Sequence, residues 1–326
     1  MKAVALLSFN AGLEKSVSRL FIPPSPDGWS SKMGKFANPA TQAASVMKVV
    51  QGQSLASVGT VRNYEQALTR VAEYAKEQRI DGGLRGLTPT QAILYLEQRG
   101  EQVGQKALDM ERQAIQCMMQ HVTGHLETST PLPVIKSEQA QALSSRAYTP
   151  EQASLVSQHQ SEKHSLATQL AHACGLRAHE LLTLRPREER LPDERPTLES
   201  KWSGRDGNLY TVEGKGGLVR DVLVPHGLSQ KLEALRHETP QHTTDRGVHY
   251  TCHYAIGGGQ PWSNSFSAAA NRCLGWSEGA HGLRHSYAQE RMHELQSSGL
   301  SRELALETVS QEMGHFRPEI TEVYLR

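Results

Sequence analysis

The sequence predicts a mainly α-helical protein of two domains with a small antiparallel β-hairpin. Three observations carry that expectation. Apolar residues recur at steps of three and four over residues 60–124, a second helix-start signal stands at Thr149-Pro150-Glu151-Gln152, and two β-prone stretches flank Gly214-Lys215-Gly216-Gly217. A length of 326 residues suits two domains, and 37% hydrophobic with 21% charged residues excludes a disordered chain.

Residues 1–45 gather Pro23, Pro24, Pro26, Gly28, Ser30, Ser31 and Gly34, which predicts a flexible N-terminal arm. Helical patterning fills the first domain, residues 46–127. Val61, Tyr64, Leu68, Val71 and Ala75 form one apolar stripe. Thr88-Pro89-Thr90-Gln91 supplies an N-cap, a first-turn proline and a capping-box glutamine for a helix carrying Ile93, Leu94, Tyr95 and Leu96. A third helix runs from about Gln105 to Val122 with Leu108, Ile115, Met118, Met119 and Val122 inward, and stops at Gly124. Residues 128–147 read as a linker.

The second domain spans 148–326. Helices are expected at about 151–159 and 162–174, with a further one after Gly175 that carries Arg177 at its start. Leu209–Glu213 and Leu218–Val224 form a hairpin with Lys215 at its tip. Helical patterns resume after Pro225 and dominate from about Ser263. Gly257-Gly258-Gly259 reads as a plain flexible loop, because a phosphate cradle needs a strand before it and a helix start directly after it.

No run approaches the roughly 18 apolar residues of a membrane span. The short apolar start Met1–Leu7 does not read as a secretory signal. Cys117, Cys174, Cys252 and Cys273 suggest neither a disulfide framework nor a zinc site, so a reducing cytoplasmic setting is expected. The formal net charge of +1 does not announce a polyanion partner, so any such surface must come from local placement of Arg and Lys. Arg62, Lys106 and Arg112 are candidates on the first-domain helices.

Chemistry-bearing residues lie in four separated pieces: Gly175-Leu176-Arg177 with Glu180-Leu181, Gly214-Lys215, His281-Gly282-Leu283-Arg284-His285, and Gly314-His315 followed by Tyr324. Singly each has an ordinary reading: a surface arginine, a solvated lysine, a solvated helix face, a half-buried tyrosine. Their order together resembles the tyrosine recombinases, the phage-integrase and Xer-like site-specific recombinases. All six key positions, Arg177, Lys215, His281, Arg284, His315 and Tyr324, carry that family's residue types, and the resemblance covers most of the chain.

The resemblance implies a helical core-binding (SAM-like) domain followed by a tyrosine recombinase catalytic domain. It implies a nucleoid-associated, site-specific recombinase or integrase of a mobile element, working through a 3′-phosphotyrosine without metal, ATP or other cofactor. Double-stranded DNA carrying a specific recombination site would be the partner, closed on by the two domains, with a homo-tetramer on DNA, a monomer or weak oligomer when free, and possible accessory DNA-bending proteins. In these roles Tyr324 is the nucleophile, Arg177, Arg284 and His315 hold the phosphate, Lys215 protonates the leaving 5′-oxygen, and His281 takes the tyrosine proton or shares that task. Guanidinium forks suit a phosphodiester because they bind two oxygens and keep their charge. The alternatives are a type IB topoisomerase-like nicking-closing enzyme and a catalytically silent DNA-binding protein of the same fold.

Overall fold

Proline and polar caps set where two helices of the first unit begin, and its core follows the apolar stripes. A computed structural model describes residues 37–51, 55, 58–140, 144–315 and 317–326. The contacts separate into two units that divide between Gln139 and Ala140, apart from residues 57–59.

In the first unit, α1 (Pro39–Val50) starts where the Asn38 side chain accepts from the Thr41 N–H, and it buries Ala43, Val46, Met47 and Val50. This helix replaces the end of the arm expected over 1–45; its apolar face belongs to the core, while residues 1–36 lie outside the described ones. Helix α2 (Val58–Glu77) buries Tyr64, Leu68, Val71 and Ala75 as the stripe predicts. Helix α3 (Pro89–Gly100) opens on the Thr88–Gln91 capping box. Helix α4 (Gln105–Met118) continues through one π turn, Met119–Thr123, to Gly124 at φ +69°. Buried Glu111 ties three of these helices by accepting from Arg70, Arg99 and the Tyr95 hydroxyl.

The segment expected as a free linker is partly stapled down. Leu132 is buried, Ser137 donates to the Val103 carbonyl, and Gln139 donates to the Glu101 carbonyl. Arg112 is occupied in the same way: it donates to the Leu132 carbonyl and pairs with Asp109, so its guanidinium braces the chain instead of facing out. Arg62 and Lys106 are exposed.

The second unit opens with α5 (Pro150–Gln158) on the Thr149–Gln152 capping box, then α6 (Glu162–Cys174), which ends at Gly175 with φ +61°. No α-helix follows; Arg177 sits in the turn before a 3-10 segment, Glu180–Thr183. Strands β1 (Arg185–Pro186), β2 (Asn208–Glu213) and β3 (Val219–Val224) make an antiparallel sheet in that order. Next come α7 (His226–Glu233) and a second antiparallel pair, β4 (Arg236–Asp245) and β5 (Val248–Tyr254), where helix was expected. The alternating Val-His-Tyr-Thr-Cys-His-Tyr and the Arg246-Gly247 turn were the signal for it. Helices α8 (Gly259–Leu274), α9 (Gly282–Ser297), α10 (Arg302–Met313) and α11 (Pro318–Glu322) complete the unit.

The three glycines between β5 and α8 are buried, not a flexible loop. A strand does precede them and a helix does follow, but the place of an anion is taken by Asp245, whose carboxylate accepts from the Gln260 N–H. A Cβ on Gly258 or Gly259 would lie 2.5 Å from Leu182 or 2.6 Å from Asp245, so close approach demands glycine there. Among the described residues, no helix is long and apolar enough to cross a membrane.

Candidate active site

A buried carboxylate organises the cations of the second unit. Glu180 is fully buried; its Oε1 accepts from Arg177 Nη1 at 2.6 Å, and its Oε2 accepts from the Arg177 N–H at 2.8 Å and from Arg220 Nη2 at 2.9 Å. Arg284 Nη1 lies 3.8 Å from the same oxygen. Burial alone would raise this carboxyl, but the charges of Arg220, Arg284 and Arg177 overcome it and hold the group well below the usual carboxylate range. Three arginines thus share one anion, which leaves a net positive cluster.

Arg284 enters from the first turn of α9. Its Nη1 donates to the Gly175 carbonyl, and its Nη2 donates to the Met313 carbonyl at 3.2 Å. Gly175 can offer that carbonyl because it holds a left-handed turn beside the Tyr287 ring, where a Cβ would sit at 2.8 Å. Arg284 is fully buried, and its Nε–H has no partner among the described residues. Burial, then the charge of Arg177, push its pKa down to about 10, so it remains a cation at neutral pH.

His315 follows α10. Its Nε2 lies 3.1 Å from Arg284 Nη2 and its Nδ1 lies 2.8 Å from Thr321 Oγ1. Arginine only donates, so Nε2 accepts and the ring proton belongs on Nδ1, donating to Thr321. Burial, then Arg284 and Arg177, push the His315 pKa down to about 3. The turn at Gly314, φ +71°, lets the chain pass Arg220, whose Cδ would lie 2.4 Å from a Cβ there.

Tyr324 stands among these groups. Its ring centroid is 4.7 Å from that of His285, 5.2 Å from His315 and 5.5 Å from His281, and the Arg284 guanidinium carbon lies 5.6 Å from it. Gln289 of α9 holds this segment by donating to the Tyr324 and Arg326 carbonyls. Desolvation and the neighbouring cations push His281 and His285 down to about 4, which leaves both imidazoles neutral at pH 7.

Five of the six residues singled out in the sequence, Arg177, His281, Arg284, His315 and Tyr324, therefore converge. Lys215 is exposed and makes no side-chain contact that joins it to them. Its backbone is close, because a Cβ on the preceding Gly214 would lie 3.3 Å from Glu180 Oε1 and 3.9 Å from Arg177 Nη1. Sequence reasoning missed the roles of Arg220, His285 and Thr321. The Arg284-His285 adjacency was visible, but which face of α9 meets the tyrosine was not.

The fold has solved counterparts. XerH site-specific recombinase in a post-cleavage complex with its difH substrate matches with a TM-score of 0.54 at 15% identity, covering 88% of this chain and 81% of that one. A lambda integrase tetramer bound to a Holliday junction matches with a TM-score of 0.54 at 15% identity, over 87% and 76%. The Tn1549 transposon integrase with transposon right-end DNA matches at 0.51 and 13% identity, over 89% and 95%. No family model and no curated protein matches the sequence. The chain has the tyrosine recombinase fold.

Proposed function

We propose that this protein cleaves and rejoins double-stranded DNA at a defined site through a 3′-phosphotyrosine on Tyr324. The observation that carries this reading is the approach of the Tyr324 ring to Arg284 and three neutral imidazoles, each from a different part of the chain or turn of helix. A phenol with a pKa of ~10 needs a proton acceptor and a positive field to attack near neutral pH, and both surround it here.

In the proposed reaction the Tyr324 oxygen attacks the phosphorus and its proton passes to the neutral His281 ring. The bond to the 5′-oxygen breaks, and Lys215 supplies the proton that oxygen needs. Arg177, with 21% of its side chain exposed, meets the phosphate first. Arg284 is covered by protein, so the Tyr324 segment must shift before the phosphate reaches its unpartnered Nε–H. His315, kept neutral first by burial and then by Arg284 and Arg177, takes up a proton from solvent as the phosphate's negative charge arrives and donates it to a non-bridging oxygen. Fixed cations placed where charge develops lower the barrier. The phosphotyrosine keeps the energy of the phosphodiester, and the 5′-hydroxyl of a partner strand reverses the step. Exchange between two duplexes uses one tyrosine per cut strand, hence four copies on the DNA.

The test is a nicked duplex library that traps covalent adducts. Wild-type protein is expected to be linked to a narrow set of 3′ ends, and Tyr324→Phe to bind DNA normally without forming adducts. Adducts on the Phe variant would refute the nucleophile, and adducts spread evenly over all sequences would refute site choice.

A further inference from the structure

The β4–β5 ribbon has two different faces. Asp245, Tyr250, Cys252 and Tyr254 share one, and they are buried or half-buried against the second unit. The register pairs His242 with Thr251 and Thr244 with His249 on the other. Thr244 Oγ1 lies 2.8 Å from His249 Nδ1, and Thr251 Oγ1 lies 3.3 Å from His242 Nδ1. Two exposed imidazoles are thereby held across the ribbon, and neither Nε2 has a hydrogen-bond partner among the described residues. None of these four paired residues is a carboxylate or one of the aromatic or aliphatic anchors that carry protein–protein affinity.

The ribbon is tied to the candidate site at its tip. Asp245 is anchored on the α8 N-terminus by the Gln260 N–H, and the next residue, Arg246, is half exposed. The charge of Arg246 acts on His179, two residues from Arg177. Tyr250 is influenced by Arg246 and by Glu213, the last residue before the Gly214-Lys215 turn. Strand β5 packs on the Glu180–Thr183 segment, the Gly259 N–H donates to the Ala178 carbonyl, and Gly214 lies beside Glu180 and Arg177, so the ribbon and the Lys215 turn both adjoin the Arg177 segment.

We propose that this ribbon enters a DNA groove beside the scissile phosphate, with His242, Thr244, His249 and Thr251 reading base edges and Arg246 on the adjacent backbone. The proposal rests on the reading that the chain acts on duplex DNA. A major groove about 12 Å wide admits a two-stranded ribbon, and hydroxyl and imidazole groups match the donors and acceptors displayed there. The backbone contact would set register while the four short side chains select sequence.

The experiment is selection of bound duplexes from a random library, run beside the covalent-adduct assay. The proteins compared are wild type, the double variant H242A/H249A, and the near-isosteric pair T244V/T251V, each first checked for unchanged unfolding. The ribbon variants are expected to lose preference at two or three adjacent base pairs by roughly 5- to 150-fold each, the size of a lost base contact, with little change on random sequence. Altered preference without wild-type adducts would uphold the ribbon and overturn the strand-cleavage reading. Adducts with unchanged preference in both variants would overturn the ribbon and leave that reading standing. Absence of any DNA binding would overturn both.

Discussion

Glu180 is the one carboxylate against which Arg177, Arg220 and Arg284 are arranged, so its charge matters more than its shape. Glu180→Gln keeps the volume and leaves buried cations uncompensated, which should cost about 3–5 kcal/mol in urea unfolding; a change near zero would mean the cluster is held by packing alone. Lys215 is the opposite case. Because Lys215 is exposed and has no side-chain partner among the described residues, Lys215→Ala should shift stability by no more than about 0.5 kcal/mol. Cleavage should nonetheless slow by about 10²–10⁴, the usual range for a lost general acid. A 5′-thio leaving group, which needs no proton, should restore the rate; equal slowing on both substrates would refute the acid role. Buried His285 and His315 set a pH dependence. Their folded pKa values lie at about 4 and about 3, below the ordinary histidine value, so the unfolded chain binds more protons as pH falls below about 6.5. Their contribution is complete above that pH and is lost progressively down to about pH 4 and 3. The urea midpoint should fall over that window, and His285→Phe should flatten the slope.

At the scale of elements, caps were readable because they are local. Thr88–Gln91 and Thr149–Gln152 are capping boxes in the structure, and the Lys215 turn joins β2 and β3. The β4–β5 ribbon was not foreseen, since period-2 patterning of His and Thr carries little hydrophobic contrast. Likewise, α1 was hidden by its proximity to the proline-rich stretch, although Asn38-Pro39 is a helix-start signal. Gly314, between α10 and the tyrosine segment, joins the two kinds of information. It looks like a helix stop, but only the fold reveals the Arg220 side chain pressed against it. Gly314→Ala meets both a left-handed backbone and that contact, and should destabilise by about 1–3 kcal/mol while lowering adduct yield. An unchanged melting temperature would show that the turn relaxes freely.

For the whole molecule, a net charge of +1 means that the proposed DNA binding must rest on a few well-placed cations. The log–log dependence of affinity on salt should have a slope of about −0.9 per phosphate neutralised. Arg62 and Lys106 are exposed, so R62A/K106A should make the slope shallower by up to about 2 if both meet phosphates. An unchanged slope removes them from the interface, whereas Arg112 is already committed to the Leu132 carbonyl. The sequence by itself determined the capped helix starts at Pro89 and Pro150, the stops at Gly124 and Gly175, the hairpin turn and the order of Arg177, Lys215, His281, Arg284, His315 and Tyr324, because periodicity, caps and residue type are local. Only the tertiary structure decided which cations share Glu180, which ring nitrogen of His315 faces Arg284, and that Tyr324 lies over a guanidinium closed off from solvent. Those facts depend on desolvation and on close approach between segments 31 to 104 residues apart, and neither quantity exists until the chain has folded.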